Sequence, residues 1–112
     1  MTTENTPVQI YVTYRGPASA RFNRDYYVNR HLPLVMSSWR KYGLESVRAY
    51  FPADHADGTV AVCECLFRDE AAVAASFSSP ETPAVMSDIA RFTDLTPTRF
   101  GVVPLTNHVG EQ

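Results

Sequence analysis

Tyr27 and His31 stand four residues apart, the spacing that puts two side chains on one face of a helix. A phenol beside an imidazole can do acid/base chemistry. The histidine takes or gives a proton near neutral pH, and the tyrosine orients an oxygen. Cys63 and Cys65 flank Glu64. On a strand both thiols share one face, yet they sit too close along the chain for a relaxed disulfide. Reduced thiols in a reducing compartment are the simpler expectation. A single Cys-x-Cys lacks the second pair of ligands that a zinc site needs, so no metal is expected there. His55 lies among Asp, Ala and Gly, and His108 lies in a polar tail; both read as solvated surface. Glu81, Asp88 and Asp94 read as helix-end or turn residues, with Asp88 the best suited of the three to a structural contact.

The elements that must position these groups follow from periodicity. Val8–Arg15 alternates, with Val8, Ile10, Val12 and Tyr14 on one face and Gln9, Tyr11, Thr13 and Arg15 on the other. Gly16-Pro17 stops that strand. Arg21–Tyr42 reads as helical, with Asn23 as N-cap, Gly43 as the stop after the last turn, and Pro33 as a kink or a restart. Leu44–Phe51 and Thr59–Arg68 read as strands joined through the Asp57-Gly58 turn. In the second of these Val60, Val62, Glu64 and Leu66 oppose Ala61, Cys63, Cys65 and Phe67. Asp69 caps a helix over Glu70–Ser78, a second short helix covers Ala84–Phe92, and Pro97–Pro104 is a last strand.

The order β-α-β-β-α-β is that of a ferredoxin-like α+β fold: an antiparallel four-stranded sheet with helices on one face. The other face must be covered. Its residues, Tyr11, Thr13, Arg15 and Glu64 among them, are too apolar for water and too polar for a dry core. Two sheets pairing face to face around a partly polar cavity would resolve this, and a homodimer is therefore expected.

Projected at about 100° per residue, Leu34, Tyr27, Ser38, His31, Tyr42, Val35, Val28, Trp39 and Leu32 fall within an arc of about 160°. His31 thus sits inside an apolar stripe. Desolvation there lowers its pKa unless a carboxylate such as Glu64 compensates. Two readings stand on pattern alone: a core histidine satisfied by a tyrosine or a backbone carbonyl, and a pocket histidine that binds a ligand or moves a proton.

Bulk properties set the outer limits. The chain of 112 residues fits one domain over 1–112, with a core from about 8 to 104 and polar ends. A net charge of −2 leaves no electrostatic footprint for nucleic acid or an anionic membrane. No apolar run approaches the roughly 20 residues of a membrane span, and Met1–Pro7 has no signal-peptide core, so a cytoplasmic location is expected.

The stretch Phe22-Asn23-Arg24-Asp25-Tyr26-Tyr27-Val28-Asn29-Arg30-His31-Leu32-Pro33-Leu34-Val35 resembles the signature of the EthD family, named for ethyl tert-butyl ether degradation. The Tyr-Tyr pair followed by His-x-Pro-Leu-Val is its specific part. The branch labelled EthD family reductases is similar in its opening turn as well, here Tyr14-Arg15-Gly16-Pro17. Asp88-Ile89-Ala90-Arg91-Phe92-Thr93-Asp94 resembles the family's second segment, with Ala90 where proline is common and Asn23 where aspartate is common. The resemblance implies a dimeric α+β barrel with a cavity for a small apolar or aromatic metabolite. It implies that His31, Tyr27 and nearby strand residues line that cavity, and His31 and Tyr27 are then the candidate catalytic residues. The strand residues Tyr11, Thr13 and Glu64 and the helix residues Val35 and Trp39 are then expected to contact the substrate.

No cofactor is expected: Gly16 belongs to no Gly-x-Gly-x-x-Gly turn, and no P-loop is present. Relatives on this barrel include lactone isomerases, polyketide cyclases and cofactor-free monooxygenases, so fold leaves the reaction open. The competing readings are an acid/base enzyme or oxidoreductase at His31, a non-catalytic ligand-binding accessory dimer, and a purely structural dimer.

Overall fold

The computed structural model describes residues 6–103. Four strands form one antiparallel sheet in the order β2-β3-β1-β4: β1 Val8–Gly16, β2 Leu44–Tyr50, β3 Gly58–Phe67 and β4 Thr98–Val102. With β1 and β3 central, this is the ferredoxin-like arrangement. Both alternations read from the sequence are realised up to Tyr14 and Ala61, where the register shifts and Val60, expected on the opposite face, packs against the core instead. Ile10, Tyr14, Ala61, Cys63, Cys65 and Phe67 are buried beneath the helices. Gln9, Tyr11 and Thr13 pair with Leu66, Glu64 and Val62 on β3, and with Val102, Phe100 and Thr98 on β4. These residues form the opposite, uncovered face, where Phe100 is 51% exposed and Tyr50 50% exposed.

The first helical run begins at α1, Arg24–Tyr26, where the Asn23 side chain accepts the Tyr26 backbone N–H at 2.9 Å. It widens into a π turn over Tyr27–His31, in which the Leu32 N–H reaches back to the Tyr27 carbonyl. It then continues as α2, Leu32–Trp39, and ends in a 3-10 turn over Arg40–Tyr42. Pro33 explains the wide turn. It offers no N–H to the Asn29 carbonyl and its ring would press on that oxygen, and a π turn just upstream relieves both problems without ending the helix. The widened turn alters the helical phase. Val28, inside the projected apolar arc, is 42% exposed, whereas Tyr27, His31, Leu32, Val35, Ser38 and Trp39 are buried.

Gly43 follows at φ 117°, a conformation that favours glycine. The second helical unit comprises α3, Glu70–Phe77, capped by Asp69, and α4, Thr82–Asp88, which ends in a 3-10 turn over Ile89–Arg91. Pro83 is accommodated in the first turn of α4, where its missing N–H costs nothing. The segment after α4 is fastened to the start of the first helical run. Phe22 bridges Thr93, the Asn23 N–H donates to the Phe92 carbonyl at 2.8 Å, and the Thr93 hydroxyl donates to the Arg21 carbonyl at 2.7 Å. That seam carries Asp88 and Phe92 to the side of His31. No helix among the described residues is long and apolar enough to cross a membrane.

Candidate active site

The π turn aims Tyr27 and His31 inward together. Their rings stack with centroids 5.6 Å apart and planes 17° from parallel, and Phe92 tilts against the imidazole at 4.7 Å. Tyr14, Phe22 and Phe51 close the aromatic cluster around Tyr27. His31 is only 4% exposed, so its polar atoms need partners. Asp88 supplies one: Oδ2 lies 2.9 Å from Nδ1. The Tyr26 hydroxyl donates to the other oxygen at 2.7 Å, and the Arg91 guanidinium lies 3.7 Å from that same oxygen.

Desolvation lowers the pKa of His31, against the opposing pull of the Asp88 hydrogen bond and charge. Desolvation also opposes ionisation of Asp88, but the hydrogen bonds from His31 and Tyr26 outweigh it and hold the carboxyl below its ordinary value. At neutral pH the pair is therefore a neutral imidazole and a carboxylate. A carboxylate only accepts, so Nδ1 carries the proton and Nε2 keeps the lone pair. Nε2 has no hydrogen-bond partner among the described residues. Tyr27 is the opposite case. Burial first, then the neighbouring Cys63, pushes its hydroxyl far above the ordinary phenol value, so it remains a hydrogen-bond donor at any physiological pH.

His31 and Tyr27 line a cavity of about 110 Å³ between the helices and the sheet. Val35 and Trp39 line it from α2, Val12 and Tyr14 from β1, and Cys63 and Cys65 from β3. Phe77, Val85 and Ile89 close it from the second helical unit, and Met86 and Arg99, both exposed, stand at its rim. Trp39 is held by donation from Nε1 to the Thr82 hydroxyl at 3.2 Å and by edge contact with Phe77 at 5.0 Å. The two thiols are free, with sulfurs 3.8 Å apart. Among the described residues no group of three His, Cys, Asp or Glu side chains is placed to hold a metal ion.

The structure divides the residues singled out from the sequence. His31, Tyr27, Val35 and Trp39 come together around one cavity. Tyr11, Thr13 and Glu64 do not join them, because the β1–β3 register puts all three on the uncovered face, with the sheet between. There the Tyr11 hydroxyl and Gln9 Nε2 both donate to Glu64 Oε2 at 2.8 Å, and Thr13 meets Thr98 at 3.4 Å between hydroxyl oxygens. The carboxylate that compensates His31 is accordingly Asp88, not Glu64. The cavity beside His31 also lies between the helices and the sheet of a single chain, not on the sheet face expected to line it. His55 is exposed, and His108 lies outside the described residues.

The residues that sequence reasoning missed had uneven signals. Strand alternation already set Cys63 and Cys65 opposite Glu64, and Phe77 shares a helical stripe with Val73. Asp88 was singled out only for a structural contact, with nothing local to name His31, 57 residues away, as its partner, and Arg99 had no local signal.

Comparison with known proteins accords with this architecture. The family model of the EthD domain matches residues 15–96. No curated protein matches the chain. Among solved structures, an EthD-like protein from Ralstonia eutropha JMP134 superposes with a TM-score of 0.77 at 21% identity, over 92% of this chain and 96% of that one. An ethyl tert-butyl ether degradation (EthD) family protein from Bacillus halodurans C-125 gives 0.58 at 20% identity, over 85% and 97%. A variant of SnoaB, a cofactor-independent oxygenase from Streptomyces nogalater, gives 0.66 at 10% identity, over 94% and 98%. At these identities the structures share the fold. The family match spans most of the chain and covers the His31, Tyr27 and Asp88 cluster, and the chain belongs to the EthD family.

Proposed function

We propose that this protein is a cofactor-free acid/base enzyme for a small apolar or aromatic metabolite, with His31 Nε2 as the base. The observation that carries the reading is the His31–Asp88 pair. A buried imidazole borders a cavity, its Nδ1–H is committed to a carboxylate, and its other nitrogen is unpartnered among the described residues. That is the oriented-base arrangement in which a third group fixes tautomer and ring direction. A substrate C–H or O–H proton would pass to Nε2, and Asp88 would stabilise the imidazolium. Tyr27 would donate to the oxygen on which charge develops. A cofactor-independent oxygenase on the same fold makes cofactor-free chemistry a consistent expectation here. The uncovered sheet face supports pairing of two copies into a homodimeric barrel, with one such cavity in each subunit.

Hydrogen–deuterium exchange at the α-carbon of cyclohexanone in D2O, followed by NMR, tests the base directly. Exchange catalysed by the wild type should fall by on the order of 10²-fold in His31→Ala. Equal exchange in both proteins would remove His31 as the base. Binding without exchange in the wild type would favour the second reading, a ligand-binding accessory dimer, which the largely apolar lining of the cavity also suits.

A further inference from the structure

The cavity is not uniformly apolar. Its inner end holds the neutral His31, and its rim holds Arg99. On β4, Arg99 lies opposite Val12 of β1, a cavity residue, which puts its side chain on the helix-side face. The guanidinium lies 3.9 Å over the ring of Phe77, another lining residue. A cation over an aromatic face gains from the ring quadrupole but leaves its N–H donors unspent. No ion pair among the described residues engages Arg99, and the carboxylates that do form ion pairs hold other groups. Asp94 holds Arg21, Glu81 holds Lys41, Asp69 faces Arg68, and Asp88 serves His31 and Arg91. Arg99 therefore has a planar donor fork, set against Phe77, at the entrance of a cavity whose other lining side chains carry no cation at neutral pH.

We propose that Arg99 is an anion anchor and that the cavity takes compact cyclic monocarboxylates, with the ring inside and the carboxylate on the guanidinium. The proposal rests on the cavity reading above and adds the substrate's charge and shape. The size fits: an apolar cavity of about 150 Å³ accepts benzene, and this one, at about 110 Å³, is of that order and opens at the rim. A ring inside leaves its carboxylate at the end where Arg99, the one cation among the described lining residues, stands. The guanidinium matches a carboxylate with two parallel N–H···O bonds, a charge-assisted geometry that a neutral amide cannot return. The same placement turns the far side of the ring toward His31.

Trp39, the single tryptophan of the chain, lines the cavity and reports occupancy. Benzoate and benzamide, equal in shape and different in charge, are titrated against its fluorescence. The wild type should bind benzoate at least about 10-fold more tightly. Arg99→Gln, with an unchanged circular dichroism spectrum, should abolish that preference, and Arg99→Lys should retain part of it. His31→Gln should keep the preference, because the anchor is at the other end. Equal affinities in the wild type, or a preference that survives Arg99→Gln, would overturn the anchor while leaving the cavity intact. Failure of both probes to bind would overturn the cavity reading and the anchor together. Loss of His31-dependent exchange with the benzoate preference intact would remove the reaction and support the anchor.

Discussion

A neutral imidazole beside an ionised carboxylate makes the stability of this protein depend on pH in two separate windows. Burial lowers the pKa of His31 below its ordinary value of 6.5. The unfolded chain therefore takes up that proton first. The contribution of His31 is complete above about pH 6.5 and declines as pH falls toward its folded pKa. Asp88 is also depressed, from 3.8, so its contribution is complete above that value and is lost as pH falls further. Asp88→Asn removes the charge and hydrogen bond that partly support the imidazolium. The His31 titration, read from its ring C–H resonance and assigned by its absence in His31→Gln, should then move to still lower pH. The variant also leaves one amide oxygen for the two donors Tyr26 and His31, a cost of about 1–3 kcal/mol at neutral pH in a denaturant melt. An upward move of the His31 titration would mean that Asp88 does not hold the ring.

At the scale of elements, the join between the first helical run and β2 is the most constrained point in the fold. Gly43 sits at φ 117°, and a Cβ there would collide with that of Ala72 on α3. Its carbonyl also accepts the Arg68 N–H at 2.8 Å, which ties the join to the end of β3. Gly43→Ala should cost about 2–4 kcal/mol, the sum of left-handed strain and overpacking. Its melting temperature should fall by roughly 8 °C or more. A wild-type Tm would mean that the helix and α3 are free to separate.

Gly43 was visible in the sequence as a helix stop, as were the caps Asn23 and Asp69 and the alternation of β1 and β3, because each is a local rule read within a few residues. Pro33 was visible as an interruption, but a proline alone does not say whether the chain kinks, restarts or widens into a π turn. The grouping of Tyr11, Thr13 and Glu64 with His31 failed for a related reason. Alternation says which residues share a face, while the choice of face belongs to the packed helices. Asp88 reaches His31 only through the Phe22–Thr93 seam, a long-range closure with no periodic trace.

At the scale of the whole molecule, the helices cover one side of the sheet and leave the other bare. That bare side is not an ordinary soluble surface. Tyr11 stacks on Phe100 with centroids 5.9 Å apart, Tyr50 and Phe100 are each about half exposed, and Val62 and Leu66 add half-buried aliphatic surface between them. Glu64 lies within this surface and accepts from both Gln9 and Tyr11, so its charge is already hydrogen-bonded before any partner arrives. A second copy of the same face would bury the aromatics, with the hydrogen bonds to Glu64 offsetting part of its desolvation, in a two-fold, self-complementary interface. Sedimentation of the purified protein should therefore give twice the mass of the chain. Phe100→Glu places a new carboxylate on each side of that interface at a position 51% exposed, so it should keep the wild-type circular dichroism spectrum and sediment as a monomer. Because the His31 cavity lies on the other side of the sheet, the monomeric variant should still bind the cavity probe. A Phe100→Glu protein that remains dimeric would place the interface elsewhere. Loss of probe binding along with the dimer would mean that the partner subunit helps to form the cavity.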